Sequence, residues 1–168
     1  MKPRIDVVLF DLDGTLVDSA PDLAGAANDL RAAEGLDPLP FERLRPMVGT
    51  GARGMVGVAF KVRPGDARYD ELRHAFLLRY SQRLLHSTRV FTDMEPVLDV
   101  LDRRALRWGI VTNKALALAQ LIADGLGLSG RAAVLIGGDS TPFSKPHPEP
   151  LLEAARRIGA DPARCVYV

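Results

Sequence analysis

Val7-Val8-Leu9-Phe10-Asp11-Leu12-Asp13-Gly14-Thr15-Leu16 is the stretch on which the reading of this chain turns. The apolar residues before Asp11 are β-branched, aliphatic or aromatic, the composition of a buried strand. Two acids follow at i and i+2. Side chains alternate along an extended chain, so Asp11 and Asp13 fall on one face. Two carboxylates on one face at the carboxyl end of a strand repel each other, and a cation or a proton relieves the repulsion. Open α/β sheets bind ligands at this end. Gly14 then lets the chain turn sharply.

Outward from that strand, the sequence changes character twice. From about Ser19 to His86 the pattern is helical. Ser19 is a plausible N-cap with Pro21 and Asp22 in the first turn, and Leu23, Ala26, Ala27 and Leu30 form an apolar stripe stopped by Gly35. Pro40 opens a short helix through Phe41, Leu44 and Met47. Val48 to Gly54 reads as a glycine-rich loop, followed by a helix from about Ala52 to Phe60. Tyr69, Leu72, Phe76, Tyr80 and Leu84 recur at helical spacing, predicting a helix over about 66–86 with an aromatic face packed in a core.

From about Arg89 the chain alternates helices and apolar strands. The expected helices are Pro96 to Leu106, Ala115 to Leu126 and Pro148 to Ile158. The expected strands are Trp108 to Thr112, Ala133 to Ile136 and Cys165 to Val168. Such βα repeats imply a parallel sheet covered on both faces. The expected organisation is an α/β core, residues 1–18 and 91–168, interrupted after its first strand by a helical insert, residues 19–90.

Composition sets broad limits. The chain has 168 residues, 47% of them hydrophobic and 26% charged, with a net charge of +1. This is ordinary globular composition, with no charge surplus to favour nucleic acid or a membrane surface. No apolar run has the length of a membrane span. The N-terminus leads straight into the first strand, so no signal peptide is expected and a cytoplasmic location is the default. Arg103, Arg104 and Arg107 read as a solvated helix face. The single cysteine, Cys165, reads as a small buried hydrophobe. His74 and His86 read as surface or packing residues.

Phe10 to Ser19, with Asp11-Leu12-Asp13-Gly14-Thr15, resembles the first signature of the haloacid dehalogenase superfamily, and Ala20-Pro21-Asp22-Leu23 narrows the likeness to its phosphoglycolate phosphatase branch. Two further stretches resemble later signatures: the strand ending in Thr112-Asn113, and Ser144-Lys145-Pro146-His147-Pro148-Glu149-Pro150. The resemblance implies a Rossmann-like parallel core with a helical cap, a Mg2+ cofactor and a small phosphorylated substrate. It casts Asp11 as the nucleophile that forms an aspartyl-phosphate and Asp13 as general acid–base, both also at the metal. Asp13 would need a raised pKa for that role, which nearby acids can supply. Thr112 would donate to a phosphoryl oxygen, and Lys145 would neutralise charge on Asp11 and the phosphoryl group. Gly14, Thr15 and Asn113 would line the phosphate site. Gly49, Thr50, Gly51 and Arg53 would meet the substrate from the insert, with Arg53 suited to a small carboxylate. His147 is expected to order its turn, and Asp139 to cap a turn.

The resemblance also implies a fourth signature, Gly-Asp and a further acid after the last strand. With the sequence ending at Val168, two acids stand where the superfamily uses three or four. Weaker magnesium binding and weak or absent turnover are therefore expected at this length. Alternatives within the superfamily are another phosphatase, a phosphosugar mutase, or a form that binds phosphate without turnover. A receiver domain, which also combines Asp, Thr and Lys, is disfavoured. Its acceptor lies on a middle strand with no insert after the first.

Overall fold

The computed structural model describes residues 5–168. Its strands are β1 (Val7–Phe10), β2 (Val17–Asp18), β3 (Arg89–Val90), β4 (Arg107–Val111), β5 (Leu135–Ile136) and β6 (Cys165–Tyr167). Its helices are α1 (Ala20–Ala33), α2 (Phe41–Leu44), α3 (Gly51–Phe60), α4 (Tyr69–Arg83), α5 (Met94–Arg103), α6 (Leu116–Gly125) and α7 (Glu149–Ile158), with 3-10 turns at Arg45–Thr50 and Pro162–Arg164. The chain divides into two compact units. One holds the chain up to Val17 together with Val90–Val168, and the other is Asp18–Arg89. The chain passes between them through β2 and β3, which pair as a two-stranded sheet.

The first unit is the α/β one. Its sheet runs β5-β4-β1-β6, every pairing parallel. Val7 is in register with Arg107 on one side and Cys165 on the other. β1 is central because it is apolar on both faces: Val7, Leu9 and Phe10 are all buried. A central strand of a parallel sheet has helices on both sides and no solvated face. The chain steps outward from β1 to β4 and β5, then returns to the far side of β1 with β6. That reversal makes the gap between the carboxyl ends of β1 and β6 the place where such a fold opens a crevice.

Packing below the crevice is specific. Trp108 on β4 is 1% exposed and meets Phe10 edge to face, with ring centroids 6.2 Å apart. Its indole N–H donates to Asp102 at 2.9 Å, so the ring is buried without an unpaired donor. Arg107 opens β4 and donates to the Ile158 carbonyl at 2.7 Å. The solvated-helix reading therefore holds for Arg103 and Arg104, at the end of α5, and is corrected for Arg107. Cys165 is only partly buried. Its thiol donates to the Asp161 carbonyl at 3.4 Å, and desolvation pushes it above the usual thiol range.

The helical unit packs α1, α3 and α4 together. Tyr69, Leu72, Phe76, Tyr80 and Leu84 are all buried, as the helical spacing predicts, and Phe76 stacks on Tyr80. Ser19 occupies the N-cap of α1 but makes no side-chain cap bond. Asp22, one turn in, is fully buried. Its carboxylate accepts from the Thr88 amide and hydroxyl, both at 2.7 Å, and from the Ser87 amide at 2.9 Å. The residue expected to complement a helix end thus ties α1 to the segment that leaves the unit.

One expectation is corrected outright. Val48 to Gly54 is not a loop: a 3-10 turn over Arg45–Thr50 passes directly into α3 at Gly51. Gly51, at φ +62°, supplies the reversal between the two helices. Gly54 lies against Thr50, where a Cβ would stand 1.7 Å from the hydroxyl. Gly51 admits the positive φ at the helix junction and Gly54 leaves room for the Thr50 side chain, uses that local composition does not distinguish from a flexible loop.

Candidate active site

Asp11 follows β1 directly, and its amide donates to the Val168 carbonyl at 2.9 Å. The main chain after it folds tightly, because the Leu12 carbonyl accepts from the amides of Leu16 and Val17, each at 3.0 Å, and more weakly from Thr15. Gly14, at φ +78° and exposed, makes that fold possible. Thr15 lies half-buried beside it. Asp13 is held at this turn by a bridge to Val17.

Each carboxylate faces a lysine. Lys145 Nζ stands 2.9 Å from Asp11 Oδ1, and Lys114 Nζ stands 3.3 Å from Asp13 Oδ1. Asp11 Oδ1 also accepts the Leu12 amide at 2.8 Å. Oδ1 is therefore doubly engaged, while Asp11 Oδ2 takes no partner among the described residues.

Lys145 comes from the loop before α7 and is fixed by several groups. Its ammonium donates to the Val111 carbonyl at 2.8 Å and to the Tyr167 hydroxyl at 2.5 Å. Asn113 grips its main chain reciprocally: Asn113 Nδ2 donates to the Lys145 carbonyl and Asn113 Oδ1 accepts the Lys145 amide, both at 2.9 Å. Asn113, expected at the phosphate, is thus the clamp that presents Lys145. His147 orders the turn as expected, accepting the Glu149 amide at Nδ1 and stacking on Phe143.

Thr112 caps β4 and is 2% exposed. Its hydroxyl accepts the Lys114 amide at 3.2 Å and keeps its own proton for another acceptor. Gly137 and Gly138 follow β5 and press against the loop after β4. A Cβ on Gly138 would lie 2.3 Å from the Asn113 carbonyl. Asp139 then reaches the first amide of α6, accepting Leu116 N at 2.7 Å, so it caps that helix where a turn in its own loop was expected.

Lys114 is the site residue that sequence reasoning missed. Its side chain is only 8% exposed, and burial pushes its ammonium below the ordinary lysine range against the opposing pull of Asp13 and Asp11. Its one signal is position, directly after Thr112-Asn113 at a strand end.

The helical unit carries the remaining expected residues. Gly49, Thr50 and Arg53 are exposed, and Gly51 is half-buried. Thr50 spends its hydroxyl on the Met47 carbonyl at 2.6 Å. The Arg53 guanidinium takes no acceptor among the described residues.

Two carboxylates and two ammonium groups balance in charge. A phosphoryl dianion entering there brings a surplus that a divalent cation offsets. Among the described residues no three His, Cys, Asp or Glu side chains cluster as a ready metal cage. Magnesium bound with a phosphate needs no such cage, since one or two carboxylates plus waters and phosphate oxygens suffice. Asp11 and Asp13 fit that donor set.

The parallel α/β fold thus carries an acid pair and a clamped lysine at its switch point. The chain belongs to the haloacid dehalogenase-like hydrolase family, whose model matches residues 5–168, and it is a phosphatase, a phosphoric monoester hydrolase. It is 48% identical over 161 residues to a phosphoglycolate phosphatase of Xanthomonas campestris, covering 96% of this chain and 72% of that one. It is 39% identical over 167 residues to an N-acetylmuramic acid 6-phosphate phosphatase of Pseudomonas aeruginosa, covering 99% and 74%. Among solved structures, a protein from Haemophilus somnus described as a predicted phosphoglycolate phosphatase superposes with a TM-score of 0.85 at 25% identity, covering 99% of this chain and 77% of that one.

Proposed function

We propose that the protein hydrolyses a small phosphate monoester with magnesium, 2-phosphoglycolate foremost, through an aspartyl-phosphate on Asp11. The observation that carries this reading is the asymmetry of the Asp11 carboxylate: Oδ1 is pinned by Lys145 and the Leu12 amide, and Oδ2 is open. Oδ2 attacks phosphorus and the ester P–O bond breaks. Asp13, which this step requires in its protonated form, gives its proton to the departing alkoxide. Asp13 then takes a proton from water, whose oxygen attacks phosphorus and releases phosphate from Asp11. Thr112 donates to a phosphoryl oxygen, and Lys145 offsets charge on the group in transfer. The Asp11 carboxylate and the Asp13 main-chain carbonyl would hold magnesium, which when bound supplies positive charge to the phosphoryl oxygens.

Residues 19–90 are proposed as the cap that selects the substrate, with Gly49, Thr50, Gly51 and Arg53 as its contacts. Support comes from Arg53, a guanidinium without an acceptor among the described residues and suited to a carboxylate. A cytoplasmic location belongs to the same proposal. No helix among the described residues is long and apolar enough to cross a membrane.

A second reading, a phosphatase for an amino-sugar phosphate, is favoured by the likeness to the Pseudomonas protein. Steady-state rates on 2-phosphoglycolate and N-acetylmuramic acid 6-phosphate, with magnesium and with a chelator, separate the two. The expected result is kcat/KM at least about tenfold higher for 2-phosphoglycolate, lost with the chelator. The reverse preference replaces the first reading with the second, and hydrolysis that survives the chelator overturns the metal assignment.

A further inference from the structure

The α/β unit has a second concavity at the amino ends of its strands. It is a cavity of about 560 Å³ lined by Ile5, Asp6, Arg104, Leu106, Arg107 and Arg164. Three strand entries meet there: Asp6 immediately precedes β1, Arg107 opens β4 and Arg164 immediately precedes β6. Arg104 caps the end of α5. At about 3.3 Å per residue, the length of β4 separates this end from the catalytic end by about 13 Å.

The lining is basic out of proportion to the chain. Three guanidinium groups face one carboxylate, giving a local +2 in a protein whose whole net charge is +1. Arg164 is paired with Asp6 at 2.6 Å. Arg107 donates from one nitrogen to the Ile158 carbonyl at the end of α7, the ordinary placement of a cation at a helix C-terminus. That contact uses one of its five N–H donors. The Arg104 side chain takes no acceptor among the described residues. Two guanidinium forks with donors to spare, lining one open polar depression, match a dianionic oxyanion in charge and in donor chemistry.

We infer that this cavity binds a small dianionic oxyanion, a phosphate group above all, through Arg104 and Arg107 while Arg164 stays on Asp6. The inference is independent of the chemistry assigned to Asp11.

Titration of the ¹⁵N-labelled protein with inorganic phosphate, without metal and against chloride at matched ionic strength, tests it. The expected result is a saturable shift of the Leu106 and Arg107 amides that chloride does not reproduce. Arg104→Gln should weaken that response by about tenfold or more, leaving the fold and the hydrolytic rate unchanged. A second titration, with a phosphate monoester on the Asp11→Asn protein, distinguishes sources. A tighter response to the ester assigns the site to esterified phosphate, and a tighter response to the inorganic ion assigns it to the free anion. No saturation, an equal response to chloride, or an undiminished response in Arg104→Gln overturns the inference. The Lys114 and Lys145 amides report the catalytic end in the same spectra, and without metal a response at Leu106 with silence there supports the second site and leaves the Asp11 reading untouched.

Discussion

Asp11 has two oxygens with different surroundings, and the proposed chemistry rests on that difference. Oδ1 is engaged by a lysine and an amide, while Oδ2 takes no partner among the described residues. Lys145→Gln should keep the fold and lower kcat by on the order of 100- to 1000-fold, with KM less affected; single-turnover and steady-state assays read this. Ala105 is strained for reasons unrelated to catalysis. Gly35 and Ala105 close the same kind of helix end: Gly35 N bonds to Ala32 and Leu36 N to Arg31, just as Ala105 N bonds to Asp102 and Leu106 N to Leu101. Gly35 adopts φ +71° at no steric cost, whereas Ala105 adopts φ +51° with a Cβ. Ala105→Gly should therefore raise stability by about 0.5–1 kcal/mol, less the entropy a glycine adds to the unfolded chain, read as a higher urea midpoint. The acid pair was legible as a local strand-and-turn pattern, and the lysine before Pro146 through its resemblance to a family signature. Lys114 was not, since nothing beside it in the sequence announces that its side chain is buried.

Elements hold these residues through contacts made at their ends. Gly138 follows β5 and touches Asn113, which grips Lys145. Gly138→Ala should push Asn113 aside and lower kcat by on the order of 100-fold while circular dichroism stays unchanged. In the helical unit, Asp22 gathers donors from Ser87 and Thr88. Asp22→Asn turns an N–H₂ group toward those donors and should cost about 2–3 kcal/mol in chemical denaturation. On α7, Arg156 and then Arg157 hold the Glu153 carboxyl down from an ordinary 4.5 to about 2. A carboxyl depressed on folding stabilises above its unfolded value, so this contribution is complete above about pH 4.5 and is lost as pH falls toward 2. A ¹³C titration of Glu153 should show that low midpoint, and Arg156→Gln should move it up. Most helices and core strands could be placed from periodicity. The glycine-rich stretch could not, because glycines that admit a helix junction have the same composition as glycines in a loop.

At the scale of the molecule, the decisive fact is topology. A sheet ordered β5-β4-β1-β6 brings the ends of β1, β4 and β6 together, and with them an acid pair, Thr112 and a lysine delivered by the loop before α7. The strand runs alone could indicate a parallel sheet. The order of its strands depends on helix packing and crossover handedness, which no single segment encodes. The same order gathers arginines at the opposite, amino end, where a linear reading saw only a solvated helix face. The central claim is that the Asp11 carboxylate becomes covalently phosphorylated. Acid-quenched turnover with phosphorus-labelled substrate, followed by peptide mapping, tests it most directly. The account predicts label on the peptide containing Asp11 and none in Asp11→Asn. Label on another residue, or full hydrolysis by Asp11→Asn, would contradict it.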